Sequence, residues 1–161
     1  MTNTKRTEEQ ILEELSGYRK SGSIKDVPNI LNILRENHDG VISKAATILL
    51  SDIKDDKIIS LLMDALRHSD NAIIRQHLIQ VCWESGLNYT SHLTYFVDLF
   101  LVLDYMEALE AFTLIENTIL DFDVSDNTKM DLVSKIRSVI LDLPEHNRNL
   151  GLELIHLLEG R

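Results

Sequence analysis

Along this chain, apolar residues recur three and four positions apart in successive short runs, and polar segments that commonly hold an Asp separate the runs. That period is helical, because every third or fourth residue returns to the same face of an α-helix. Thr7 followed three residues later by Gln10 is a capping-box pattern, and Ile11, Leu12, Leu15 and Tyr18 make one stripe, which predicts a helix over 7–20. Residues 21–26 break it. A second helix starts with Pro28 in its first turn, where the missing amide hydrogen is harmless, buries Val27, Ile30, Leu31 and Leu34, and ends near Asn37.

The next predicted helix, 40–51, buries Ile42, Ala45, Ala46 and Leu49, with Asp39 expected to accept from its first free amides. Asp55 and Asp56 open a helix with Ile58, Ile59, Leu62, Ala65 and Leu66, and Asp70 is expected to cap one with Ile74, Leu78, Val81 and Cys82. Further on, Leu93, Phe96, Val97 and Phe100 predict a helix over 90–103. Past a turn at Asp104, Ala108, Leu109, Phe112, Ile115 and Ile119 predict another over 105–120. After a polar break at 121–127, Met130, Val133, Ile136, Ile140 and Leu143 form one stripe. Leu150, Leu154, Ile155 and Leu158 form the last, over 147–159, with Pro144 between the two and Glu145 in the capping place.

The turns repeat. SDNAIIRQHLIQV echoes HDGVISKAATILL, and Asp39, Asp70, Asp104 and Glu145 follow one another at intervals of 31, 34 and 41 residues. Short turns make successive helices antiparallel, and each hairpin alone leaves an apolar face bare, so neighbours must stack to cover it. The expected architecture is an all-α, right-handed α-α superhelix of about four hairpins plus an N-terminal helix, one domain over 1–161 with residues 1–6 frayed. A compact four-helix bundle is the competing arrangement.

The pattern resembles the HEAT family of helical repeats, whose second helix typically follows an Asp in the turn and carries an apolar residue and then a base. Here Asp39 precedes Ile42 and Lys44, and Asp70 precedes Ile74 and Arg75. The resemblance implies a structural ladder of Asp39, Lys44, Asp70 and Arg75 between repeats. It covers about residues 25–120 with regularity; the third and fourth pairs carry Leu109 and Leu150 at the basic position. HEAT-like repeats also occur in DNA alkyl-base glycosylases and phycobilin lyases, so the resemblance carries an enzymatic alternative beside a scaffold.

Composition adds limits. With 44% hydrophobic residues, two prolines and six glycines, the chain can bury a core and favours helix. Its formal charge of −10 repels phosphate backbones and anionic membranes, so no nucleic-acid or membrane partner is expected. The N-terminal ten residues hold no apolar core of a secretory signal, and YFVDLFLVLDYM is interrupted by Asp98 and Asp104, so a cytoplasmic protein is expected. The single cysteine, Cys82, reads as a small core residue.

Catalytic chemistry is not signalled: HExxH, CxxC, GxSxG and a glycine-rich phosphate loop do not occur. His38, His68, His77, His92, His146 and His156 are not paired on a helix face, and His77 and Cys82 are out of phase. Asp121, Asp123, Ser125 and Asn127 alternate like the opening of a calcium loop, but Asp126 stands where such a loop needs Gly and Leu132 where it needs Glu. No enzyme activity, cofactor or metal is expected.

One distribution does point to a function. Between Arg75 and Lys129 there is no lysine or arginine, and nine acids lie there together with eight of the nine aromatic residues. Phe96, Phe100 and Phe112 fit core stripes. Trp83, Tyr89, Tyr95 and Tyr105 flank turns or lie off those stripes, and with Glu107 and Glu110 they are the expected partner-binding residues, lining a groove for a basic or extended peptide. The last helix is apolar at Leu150, Leu152, Leu154, Ile155, Leu157 and Leu158, wider than one stripe requires, which predicts a homodimer or an assembly subunit joined through that end.

Overall fold

The computed structural model describes residues 5–161; of the expected frayed lead-in 1–6, the first four positions lie outside the described residues. Among the described residues there are nine α-helices and no strand. The chain packs as two compact units, one ending at Ser85 and the other running from Gly86 to Arg161.

The first unit holds α1 (Glu8–Ser21), α2 (Val27–Glu36), α3 (Gly40–Ser51), α4 (Lys57–Arg67) and α5 (Arg75–Ser85). α1 begins as its sequence dictates: Thr7 Oγ1 accepts from Gln10 N and Gln10 Oε1 accepts from Thr7 N, at 3.2 and 2.9 Å, the complete capping box. It ends at Gly22, whose φ of 57° is the left-handed conformation a helix terminus of this kind favours in glycine. α3 packs against both α1 and α5, while α2 pairs with α3 and α4 with α5. The core is aliphatic: Leu34, Leu50, Ile58, Leu62, Met63, Ile74 and Leu78 are essentially inaccessible. Each such side chain contributes roughly 1.5–3 kcal/mol of burial.

The second unit holds α6 (Leu93–Val102), α7 (Tyr105–Asp121), α8 (Asp126–Val139) and α9 (Glu145–Leu158). α6 and α7 form one hairpin and α8 and α9 another; α6 lies on α8 and α7 on α9. Its core sets four aromatic rings, Tyr89, Phe96, Phe100 and Phe112, among aliphatic side chains such as Leu93, Val97, Ile115, Ile136 and Leu154. Gly151 lets α9 come close to the end of α8, since a Cβ there would stand 2.6 Å from Ile140 Cδ1 and 3.7 Å from Phe100 Cε1.

Several expected boundaries move. Asp39 occupies the N-cap of α3, but its side chain makes no capping bond and lies 3.4 Å from His38 Nε2 instead. Asp70 does not open α5; it sits in the first turn of a 3-10 segment, Ser69–Ile74, with its carboxylate 3.7 Å from His68 Nδ1. α6 starts at Leu93 rather than Thr90 because residues 90–92 wind as a 3-10 turn. α9 starts at Glu145, with Pro144 as its N-cap, so Glu145 is inside the helix rather than capping it. Met130, expected in the core, is 61% exposed.

Two polar stitches recur at the turns. His77 Nε2 lies 2.8 Å from His38 O; a carbonyl can only accept, so His77 carries its hydrogen on that nitrogen. In the second unit, Asn147 Nδ2 donates to Leu103 O at 3.2 Å. Each accepting carbonyl belongs to the residue just before an Asp at an N-cap, Asp39 in one unit and Asp104 in the other. At the opposite end of α3, Lys54 Nζ donates to Ser51 O and Ser85 O, at 2.8 and 2.6 Å, and so joins the last turns of α3 and α5.

Candidate functional site

The six expected binding residues do not share one setting. Trp83, half-buried on α5, belongs to the first unit; Tyr89, Tyr95, Tyr105, Glu107 and Glu110 belong to the second. Tyr89 is corrected from a surface anchor to a core residue. Its ring is inaccessible and meets the ring of Phe96 edge-on at 5.9 Å and 86°, an arrangement aromatic quadrupoles favour. Tyr95 is half-buried and meets the other side chain of that pair, Phe96, at 5.5 Å and 80°. Of the four aromatics, Tyr105 is the exposed one, at 42%. Its ring tilts against His146 at 5.4 Å, which ties the start of α7 to the start of α9.

α7 positions the rest. Asp104 caps it, its Oδ1 accepting from Glu107 N at 3.1 Å, which satisfies a free amide and puts a negative charge at the favourable end of the helix. At 100° per residue, Glu110 falls on the stripe Met106, Glu110, Thr113, Asn117 and Leu120, whereas Tyr105 and Glu107 flank that stripe on opposite sides. Met106 is 54% and Leu120 65% exposed, and Val102, just before the turn, is 78% exposed. These three apolar side chains were not legible as surface: Val102 and Leu120 continue apolar runs that look like core, and Met106 stands one residue off them.

Asp121 and Asp123 are exposed where α7 ends. The carbonyls at a helix C-terminus already carry partial negative charge, so two carboxylates there make this end of the unit attractive to cations.

For the implied ladder, Asp39, Lys44 and Asp70 are all exposed and Arg75 is half-buried at the first position of α5. The side chains that sequence reasoning missed are the buried or bridging polar ones, His77, Asn147, Lys54 and Asn71; their signal is weak, since a lone polar residue on a helix usually faces water. Asn71 is 3% exposed and its Nδ2 donates to Ala65 O at 2.8 Å.

Comparison with protein-family models, curated proteins and solved structures returns no match for this chain. Among the described residues no three His, Cys, Asp or Glu side chains converge as a metal centre. No helix among them is long and apolar enough to cross a membrane.

Proposed function

We propose that this chain is a non-enzymatic protein-binding module of stacked helical hairpins, HEAT-like in layout, whose second unit presents the open stripe of α7 to a basic segment of a partner protein. The observation that carries it is the exposure of Val102, Tyr105 and Met106 at the start of α7 and of Leu120 at its end, where Asp121 and Asp123 are also exposed. Apolar and aromatic anchors supply affinity, and carboxylates around them steer a cationic partner and reject anionic ones. Within the first unit the packing order supports stacked hairpins, since α3 lies between α1 and α5 in its contacts.

The test is site-specific photo-crosslinking from Met106 and, as a control, from Ser60 on exposed α4 surface, in extract of the native organism. A partner captured at Met106 alone, lost when Tyr105→Ala and Leu120→Ser are combined and weakened by rising salt, supports the reading. Equal capture from both positions counts against it.

A second reading, self-association through the last hairpin, is favoured by Leu141 at 79% and Leu152 at 44% exposure. Light scattering that finds only monomer at high concentration would remove it.

A further inference from the structure

The first unit carries a cleft of its own. Between α2 and α4 lies a cavity of about 450 Å³ lined by Leu31, Arg35, Leu61, Asp64, Asp70 and Asn71, among others. Leu31 and Arg35 are one turn apart on α2; Leu61 and Asp64 are one turn apart on α4; Asn71 closes one end.

Arg35 is held in an unusual way. Its Nε donates to Asn71 Oδ1 and its Nη1 to Asn32 Oδ1, so two neutral amide oxygens fix the guanidinium. Asn71 is itself buried and anchored to Ala65 O. Among the described residues no carboxylate comes within ion-pair distance of Arg35, although Asp64 and Asp70 line the same cleft. The fold thus orients a guanidinium without giving it a direct ion pair. A planar guanidinium so placed is suited to a carboxylate, which it can take through two parallel bonds.

The remaining lining narrows the ligand. A simple anion would meet repulsion from Asp64 and Asp70, so the ligand must also bring hydrogen-bond donors to them. Leu31 and Ala65 are buried and Leu61 half-buried, an aliphatic floor that asks for an apolar group. Arg35, Asp64 and Asp70 are exposed, so the cleft is open and a small free molecule would bury little of its surface there.

We propose that this cleft binds the C-terminal residue of a partner polypeptide. Arg35 takes the terminal carboxylate, Asp64 and Asp70 accept from the last backbone N–H groups, and an aliphatic C-terminal side chain lies on Leu31, Leu61 and Ala65. This site is independent of the α7 stripe and stands or falls without it.

The probes are acetylated tetrapeptides ending in Leu, Ile, Val, Met or Phe, each as free acid and as C-terminal amide, together with free leucine and acetate. Binding to the full chain is followed by NMR, reading the Arg35 Nε–H and the Asn71 side-chain amide. At least one free acid is expected to bind and to shift both signals, with its amide weaker by about tenfold or more, the equivalent of losing one charge-assisted contact. Arg35→Met should abolish that difference, and Asp64→Asn, which leaves the Arg35–Asn71 bond in place, should weaken the acid while its circular dichroism stays that of the parent.

Acid and amide binding alike to the parent chain, no acid binding at millimolar concentration, or a preference for the acid that survives in Arg35→Met overturns the proposal. Free leucine binding as tightly as the peptides overturns the polypeptide assignment.

Discussion

The two units use the same helical hairpins and differ in what fills and joins them. The first carries thirteen acids against eleven lysines and arginines, a net of −2; the second carries thirteen against five, a net of −8. The first has an aliphatic core joined at helix ends by Lys54, His77 and Asn71. The second adds aromatic rings to an aliphatic core and, among the described residues, exposes seven large apolar or aromatic side chains, Val102, Met106 and Leu120 among them, against Val41, Ile48 and Ile73 in the first. A uniform structural repeat would spread both charge and exposed apolar surface evenly. The excess of both in the second unit marks it as the candidate binding surface, because burial alone accounts for aromatic rings in a core but not for apolar side chains left outside it.

The largest expected effect lies in the aromatic core. Phe100 is inaccessible and lies beside the close approach at Gly151, so Phe100→Ala opens a cavity that tightly packed helices cannot readily collapse. Urea unfolding followed by circular dichroism should show a loss of about 3–5 kcal/mol. A loss below about 1 kcal/mol would mean that the core relaxes freely around Phe100, and the aromatic rings would then not set the second unit apart from the first.

A middle-sized effect separates the stitches. Lys54→Met keeps the aliphatic stem but removes two donations to carbonyls at the ends of α3 and α5, and should lower stability by about 1–2 kcal/mol. Asn147→Ala removes one neutral bond to Leu103 O and should lower it by about 1 kcal/mol. Amide hydrogen exchange should speed up at the last turns of α3 and α5 in the first variant and at the start of α7 in the second. If the two variants cost the same, charge at the helix ends adds nothing over a neutral stitch.

Periodicity carried the fold further than the site. The bounds of α3 and the capping box at Thr7 follow from local chemistry, where the residues that decide the structure are neighbours in the chain. Asp39 and Asp70 show the limit: an Asp at a turn can cap a helix or face the adjacent histidine, and both choices look alike in sequence. Tyr89 and Tyr105 flank turns equally well, yet one is buried against Phe96 and the other faces solvent, a difference that position beside a turn does not carry. The same holds for Arg35, whose partner Asn71 lies on another element.

The smallest effect concerns Tyr18, the one exception in the first unit's otherwise aliphatic helix faces besides Trp83. Its hydroxyl donates to Glu14 Oε1 at 2.8 Å, and that hydrogen bond, with burial and the nearby carboxylate charges adding to it, raises its pKa above the ordinary value of 10.0. A proton held more tightly in the folded chain than in the unfolded one stabilises the fold below the ordinary tyrosine value. That contribution is fully present below the ordinary value and is lost as pH climbs through the raised pKa, so only its pH dependence is confined to alkaline solution. Glu14→Gln removes the charge that opposes the phenolate, and the titration of Tyr18 should move down toward 10.0, read as phenolate absorbance after subtraction of a Tyr18→Phe control. An unchanged titration would place the cause in burial rather than in Glu14. The first unit's polar contacts would then organise its helix ends without tuning the groups that make them.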